Sequence, residues 1–280
     1  MTLELIRAER PTGFPSASAL EFWNGVLYAL GDDSLRLYRW NRAGGRLDDR
    51  LISPYAEAAG ERMAKKTKPD FEMLTVVEGR LMGMGSCSKG PERETAFLFD
   101  GVDFSFFSVS RFKESVEGMV KAAGAKKTNF EGLAERDGKL YIFHRGGSNG
   151  ESYVFTVGFD EFFAQKTMRI SAAPVYLPDG GKGKPGITGA TLYRDNVFLL
   201  TAAVEITDDP VHDGAVAESY LCLWRAGEPA PYDVMPLNDV LKTPVPPKIE
   251  SVALTGDDTI VLCADDDAGG SELFFCRWQA

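Results

Sequence analysis

A short segment in which apolar and polar residues alternate recurs five times along the chain. The copies read SALEFWNGVLY, EMLTVVEGRLM, EGLAERDGKLY, TGATLYRDNVF and ESVALTGDDTI. Each copy carries one polar residue at the same place, and the spacings between these residues are 54, 59, 57 and 62. The five polar positions are Ser18, Glu72, Glu131, Thr188 and Glu250. Repeats of this length that consist of short strands are typical of a β-propeller, an all-β fold whose blades surround a central channel.

Each copy predicts the inner half of one blade. A first strand such as 130–135 ends at a turn that contains Gly or Asp, and second and third strands follow with β-branched and aromatic residues. The fifth copy stops after its third strand, at Trp278, whereas the chain opens with the strand-like segment LELIRAE. We therefore expect a five-bladed propeller, formed as a single domain over residues 1–280 and closed by the N-terminal strand in the last blade. A six-bladed propeller is the alternative, but it needs a sixth copy that we do not find.

One long insertion between the repeats has helical periodicity. Residues 110–126 place apolar side chains at helical spacing, among them Phe112, Val116 and Met119. A second helical turn is expected at 160–165. We expect both insertions to pack on the outside of the blades.

Composition and charge exclude several classes of protein. The net charge of −10 disfavours nucleic acid as a partner, because nucleic-acid binding rests on Lys and Arg that neutralise phosphates. The longest apolar runs have the length of strands, so no membrane span is expected. The first ten residues lack the basic start and the apolar centre of a secretion signal. We therefore expect a cytoplasmic protein, and we expect it to be a monomer.

The five marked residues are the first candidate site. A propeller places its first strands around one axis, so three carboxylates and two hydroxyls are expected to meet in one channel. Close carboxylates in a narrow channel repel one another, and burial disfavours their charge further. They can bind a hard cation, pair with lysines or take up protons. Ca²⁺ takes six to eight oxygen ligands, and this set is composed of oxygens, so we predict a calcium site at Ser18, Glu72, Glu131, Thr188 and Glu250.

The loops on one face of the propeller supply the second candidate site. The loops that lead into the first strands lie on the same face as those that leave the second strands, and loops at one end of a scaffold often bind ligands. Five cationic or titratable residues there are predicted to bind a small anionic ligand: Lys68, Lys127, Arg93, His144 and Arg145. Asp33 and Asp208 lie in the same loops and are candidates for a general base.

The inner strands resemble a known family. The segments SALEFWNGVLY, DFEMLTVVEGRL and KIESVAL are similar to those of the calcium-activated nucleotidases, or apyrases. That family is a five-bladed propeller whose central calcium takes one side chain per blade, in the order Ser, Glu, Glu, Ser, Glu. The resemblance implies a calcium ligand at each marked position, with Thr188 in place of the second Ser. The pattern from DFExLT to PPKIEsVA also resembles an uncharacterised group of bacterial propellers, which is in turn similar to the phytase-like and SdiA-regulated propellers.

Three functions remain open from the sequence. A calcium-dependent hydrolase of phosphoanhydrides or phosphate esters would use the cation to polarise phosphoryl oxygens, the basic residues to neutralise charge, and Asp33 or Asp208 as the base. A binding or scaffold propeller would keep the cation as a structural element. A glycosidase with paired carboxylates is third, because no pair of acids stands out.

Overall fold

The computed structural model of the chain contains five antiparallel sheets of four strands each. It describes residues 1–41, 46–52, 62–147, 150–206, 214–256, 258–265 and 270–280. The innermost strands of the five sheets contact one another in sequence, and the fifth contacts the first, so the sheets form a closed circle. The predicted five-bladed β-propeller is confirmed, and the six-bladed alternative is wrong.

The strands follow the chain from blade to blade. The first blade contains β2 (Ala17–Trp23), β3 (Val26–Gly31), β4 (Arg36–Asn41) and β5 (Arg46–Leu51). The second contains β6 (Phe71–Val77), β7 (Arg80–Gly85), β8 (Thr95–Phe99) and β9 (Phe104–Ser108). The third contains β10 (Phe130–Arg136), β11 (Lys139–His144), β12 (Ser152–Gly158) and β13 (Ser171–Val175). The fourth contains β14 (Gly186–Arg194), β15 (Val197–Ile206), β16 (Ala215–Arg225) and β17 (Asp233–Pro236).

The fifth blade joins the two ends of the chain. It contains β18 (Lys248–Gly256), β19 (Thr259–Asp265), β20 (Ser271–Gln279) and, as its outermost strand, β1 (Thr2–Glu9). β1 pairs antiparallel with β20, from Thr2 opposite Gln279 to Glu9 opposite Leu273. The predicted closure by the N-terminal strand is confirmed.

The hydrophobic core is divided among the blades. Five clusters of buried apolar residues each combine side chains from two neighbouring blades. Between the first and second blades, for example, Leu30 lies in one cluster with Phe71 and Phe97, whose rings meet edge to face at 5.3 Å. Because each sheet is apolar on both faces, no blade can bury its surface alone, and the closed circle is the unit that folds.

The helices lie in the connections between strands. They are α1 (Ser110–Ala122), α2 (Phe159–Ala164) and α3 (Asn238–Leu241). α1 buries Phe112, Val116 and Val120 in the cluster between the second and third blades, while Met119 is 41% exposed. The predicted helix is confirmed, but its buried stripe follows every fourth residue and passes through Val120 rather than Met119. Within the described residues, no helix is long and apolar enough to cross a membrane.

Candidate functional site

The five marked residues occupy equivalent places in the five blades. In the first blade Ala17 pairs with Gly31 and Ala19 with Leu30, so Ser18 is the extra residue of a β-bulge. The register shifts in the same way at Glu72, Glu131, Thr188 and Glu250. A β-bulge bends its strand and redirects one side chain, and here it recurs on each innermost strand. The sequence repeat therefore corresponds to a β-bulge that occurs once in each of the five blades. The role of these residues as metal ligands stays a prediction.

The two hydroxyl members link neighbouring blades. Ser18 Oγ donates a hydrogen bond of 2.6 Å to the carbonyl oxygen of Phe71, and Thr188 Oγ1 donates one of 2.5 Å to that of Ile249. Phe71 and Ile249 directly precede the marked glutamates of the next blade. Both hydroxyl hydrogens are therefore directed to the backbone of the adjacent innermost strand, where they tie the blades together.

Two of the three marked glutamates belong to a chain of alternating charges. Arg145 Nη1 lies 2.8 Å from Glu131 Oε1, and Arg145 Nη2 lies 2.7 Å from Glu205 Oε1. Lys248 Nζ lies 2.9 Å from Glu205 Oε1 and 2.9 Å from Glu250 Oε1. We call these five residues the Arg145 network. The sequence left three possibilities for the marked glutamates: a cation, basic partners or protons. In this network Glu131 and Glu250 pair with basic residues.

The position of each carboxylate in this network sets its pKa. Burial would raise the pKa of Glu205, but the two cations Arg145 and Lys248 lower it to about 2. Burial raises the pKa of Glu250 to about 8, because one lysine offsets the burial only in part and the nearby Glu131 adds repulsion. Glu205 is therefore a firmly ionised centre, while Glu250 lies at the end of the network and tends to hold its proton near neutral pH.

A second network lies between the first and second blades. The Lys68 ammonium pairs with Asp32, and it lies 2.9 Å from Asp70 Oδ1. Arg93 pairs with Asp70 Oδ2, and the hydroxyls of Ser86 and Ser88 donate to the same oxygen. We call this group the Asp70 network. The pKa of Asp70 is lowered, because the two cations outweigh the effect of burial.

Glu72 lies beside the Asp70 network without joining it. Ligand oxygens of Asp32, Asp70 and Glu72 all lie within 4.8 Å of one another. Among the described residues, no hydrogen bond or ion pair reaches the Glu72 carboxylate. Burial raises its pKa well above the ordinary value, and repulsion from Asp70, Asp32 and Glu131 raises it further. Glu72 is therefore the marked residue that most needs a proton or a cation.

The two networks and Glu72 together carry an excess of negative charge. Their carboxylates are Asp32, Asp70, Glu72, Glu131, Glu205 and Glu250. Their cations are Lys68, Arg93, Arg145 and Lys248. With every carboxylate ionised, six carboxylates against four cations leave two negative charges uncompensated among these residues. One divalent cation or two protons would balance the group.

A basic group borders this acidic centre between the second and third blades. Burial lowers the pKa of Lys127, and the positive charges of Lys89 and Arg93 lower it further. The carboxylates of Asp70 and Glu131 act in the opposite direction, so Lys127 lies near charges of both signs. The channel mouth thus presents neighbouring negative and positive regions.

Two of the predicted residues, His144 and Asp33, are buried and are held by neighbouring loop residues. His144 is 1% exposed; its Nε2 lies 3.1 Å from the carbonyl oxygen of Lys127, and its Nδ1 accepts the Gly146 N–H at 3.3 Å. We therefore expect His144 to support the loop. Asp33 is buried and pairs with Arg62 at 2.6 Å, while its Oδ1 is buried with no hydrogen-bond partner in the described part of the chain. Asp208 lies outside the described residues.

Sequence reasoning missed Asp70 and did not recognise the importance of Lys248. Both lie two residues before a marked position, as Asn129 does in the third blade. The fragments DFE, NFE and KIE share a polar residue, an apolar residue and the marked glutamate. This shared spacing in the sequence could have identified Asp70 and Lys248. The structure adds the β-bulge, which shows that the first and third residues of each fragment both reach the channel mouth.

A further, half-buried carboxyl lies three residues beyond Ser18. The Glu21 carboxylate accepts the Phe22 N–H at 2.8 Å, and burial raises its pKa to about 8 despite this bond. An acid whose pKa is raised in the folded state destabilises that state as pH rises from the unfolded value towards the folded one. We expect Glu21→Gln to raise the free energy of unfolding by about 2 kcal/mol at pH 8 and to leave it nearly unchanged at pH 4.5.

Denaturant unfolding at the two pH values measures this effect. Glu78→Gln is the control, because Glu78 lies exposed in a turn and pairs only with Arg80 among the described residues. Equal gains for Glu21→Gln at pH 4.5 and pH 8 would contradict the assignment.

The fold and this site define a class of protein, a five-bladed β-propeller with a charged channel mouth. Within that class, the chain belongs to the family of unknown function DUF6929, which it matches over residues 13–277. No curated protein matches the sequence significantly.

Three solved structures show the same general fold. The chain is similar to glutaminyl cyclase from Myxococcus xanthus, with a TM-score of 0.57 and 13% identity over 98% of this chain and 95% of that one. It is similar to the PQQ-bound aldose sugar dehydrogenase from Streptomyces coelicolor, with a TM-score of 0.53 and 11% identity over 99% and 98%. For the tail fibre of Staphylococcus aureus phage P68 the values are 0.54 and 7%, over 100% and 53%. At such identities the similarity is evidence of fold alone.

Proposed function

We propose that the protein is a calcium-binding β-propeller whose channel mouth binds a small anionic ligand. The proposal rests on Asp32, Asp70 and Glu72, whose ligand oxygens all lie within 4.8 Å of one another. Ca²⁺ binds oxygens at about 2.3–2.6 Å, so two of its ligand atoms are at most about 5 Å apart. Three carboxylates within that distance fit around a single ion.

The chemistry of the group suits the same ion. All three side chains offer carboxylate oxygens, which hard cations prefer. The two uncompensated negative charges of the surrounding networks equal the charge of one divalent ion. Mg²⁺ fits less well, because it demands a tight octahedron and retains its waters.

The cation is proposed beside Glu72 rather than on the axis of the five marked residues. On the axis, Glu131 and Glu250 would have to exchange Arg145 and Lys248 for the ion. Removing a partner from a buried ion pair costs about 3–5 kcal/mol. Beside Glu72, only one cation, Lys68, has to move, and its flexible stem allows the ammonium to shift away from both Asp32 and Asp70.

The anionic ligand is proposed between the cation and the basic group at the border of the second and third blades. Lys127 and Lys89 supply positive charge next to the acidic centre, and Arg93, which pairs with Asp70, lies close to them. A metal ion together with Lys and Arg is a common way to bind phosphate oxygens. The resemblance to the calcium-activated nucleotidases points to the same ligand class.

Thermal unfolding of chelator-stripped protein tests the cation site. Calcium at about one hundred times its dissociation constant stabilises a folded protein by about 2.7 kcal/mol, so the wild-type midpoint should rise by several degrees. We expect no rise for Glu72→Gln, and a larger rise for Lys68→Met, because the internal competitor of the ion is gone.

Glu92→Gln is the matched control, since Glu92 lies exposed in a loop of the same blade. It should retain the full calcium shift. An unchanged wild-type midpoint, or an equal rise in Glu72→Gln, would reject the proposal.

Hydrolysis of the bound anion is a second candidate function, and one observation favours it. Asp33 Oδ1 is buried without a hydrogen-bond partner among the described residues, while Arg62 holds the other oxygen at 2.6 Å. A carboxylate fixed in this way can take a proton from an attacking water.

Phosphate release from a panel of nucleotides and phosphate esters, with calcium present, tests this activity. Asp33→Asn should lower kcat by about 100-fold or more while the calcium shift remains. Absence of release from the whole panel would reject hydrolysis and leave the binding function.

A further inference from the structure

The fourth blade departs from the others at two positions of the mouth. On the second strand of each blade, one residue pairs with the residue that directly precedes the bulge. The residue that follows this partner lies at the channel mouth. In the five blades these residues are Asp32, Ser86, Arg145, Ala203 and Asp265. The residues two positions before the bulge are Ser16, Asp70, Asn129, Gly186 and Lys248. Only the fourth blade has Gly and Ala at these places, and Gly186 and Ala203 pair directly across the strands. The missing side chains leave a notch beside the third blade.

The notch is a pocket of about 90 Å³ that opens to solvent. It is lined by Arg145, Gly147, Lys184, Gly186, Ala203 and Glu205. The stem of Arg145 packs against Gly186, where an added Cβ would lie 2.9 Å from Arg145 Cγ. The glycine therefore fixes the place of the guanidinium as well as the space beside it.

The wall from the third blade offers hydrogen-bond donors. A guanidinium has five N–H groups, and Arg145 uses its Nη1 and Nη2 towards Glu131 and Glu205, so further N–H groups are available. Lys184 stands at the rim, where it pairs with Glu151 and both side chains are more than one third exposed. An oxyanion group can be held between these two cations, with Lys184 leaving its exposed partner.

The wall from the fourth blade offers an acceptor. Glu205 Oε1 lies 2.7 Å from Arg145 Nη2 and 2.9 Å from Lys248 Nζ, yet in the described part of the chain it is buried without a partner in hydrogen-bond geometry. This carboxylate is held ionised by its two cations. A simple anion in the notch would therefore approach a fixed negative charge, whereas a molecule with both signs would match both walls.

We propose that the notch binds a small zwitterion of the α-amino acid type. Its carboxylate lies against Arg145 and Lys184, and its ammonium donates to Glu205. The site is separate from the cation beside Glu72, so binding does not require calcium.

Titration in the presence of a chelator tests this site. The twenty free amino acids are first screened by thermal shift, and the best one is titrated beside its deaminated and decarboxylated analogues. We expect each analogue to bind at least 10-fold more weakly than the amino acid, because each loses one of the two charged contacts. Equal binding of the deaminated acid would make this a plain oxyanion site, and absence of any binding would also overturn the proposal.

Two variants locate the binding to the notch. Lys184→Ala should weaken it about 5- to 10-fold, while Lys182→Ala, in the same loop, should leave it unchanged. Ala203→Leu should fill the notch and abolish binding, with Ala215→Leu on the exposed part of β16 as its control. Because Lys184 is exposed, its variant will fold, and unchanged affinity there would refute the assignment. Loss of the calcium shift in Glu72→Gln, with amino-acid binding intact, would separate the two sites.

Discussion

Replacing Arg145 with methionine is expected to destabilise the protein by about 3–5 kcal/mol. The guanidinium is largely buried, with 16% of the side chain exposed, and lies 2.8 Å from Glu131 and 2.7 Å from Glu205, so its removal leaves two largely buried carboxylates short of a partner. Methionine preserves most of the aliphatic stem that packs on Gly186, so the loss reports charge rather than volume. For a chain of this size the midpoint of thermal unfolding should fall by about 10 °C.

Arg169→Met is the matched control. Arg169 pairs with Glu161 at the surface with 90% of its side chain exposed, and exposed ion pairs contribute about 0–1 kcal/mol. A loss for Arg145→Met no larger than for Arg169→Met would show that the Arg145 network does not hold the inner strands together.

Asp70→Asn should cause the second large loss, about 2–4 kcal/mol. Asp70 pairs with Lys68 and Arg93 and accepts hydrogen bonds from Ser86 and Ser88, all in the buried mouth. Asn keeps the shape and tolerates the left-handed backbone of this residue, whose φ is +56°. The change therefore removes one negative charge, deprives Arg93 of its carboxylate and leaves Lys68 paired with Asp32 alone.

Asp137→Asn provides the comparison. Asp137 has a similar left-handed φ of +52°, but 78% of its side chain is exposed in a hairpin turn. Denaturant unfolding should show less than about 0.5 kcal/mol for this variant. A similarly small loss for Asp70→Asn would contradict the role of Asp70 as the centre of its network.

The architecture could be predicted from sequence because it follows from local patterns that repeat. Five copies of one repeated strand segment predicted the number of blades. The N-terminal strand, which has no partner nearby in sequence, predicted that the last blade is closed by pairing with the strand that contains Trp278. The same repeat located Ser18 and its four equivalents, each at a β-bulge. A repeat of this kind can be recognised in the sequence without knowledge of the side-chain contacts.

The pairing within the mouth could not be predicted in the same way. Glu72, Glu131 and Glu250 look equivalent in sequence, yet Arg145 and Lys248 pair with the last two and leave Glu72 without an ion pair among the described residues. This difference depends on which loop residues of neighbouring blades meet across the channel. The repeats differ most in those loops, so symmetry gives no guidance there.

The central claim is that one divalent cation lies off the channel axis beside Glu72. Its most direct test is a crystal structure of the protein grown in millimolar calcium, with anomalous difference maps. The account predicts a single peak between Asp32, Asp70 and Glu72, with metal–oxygen distances of about 2.3–2.6 Å. A peak on the axis between Glu131 and Glu250, or no peak at the mouth, would contradict it.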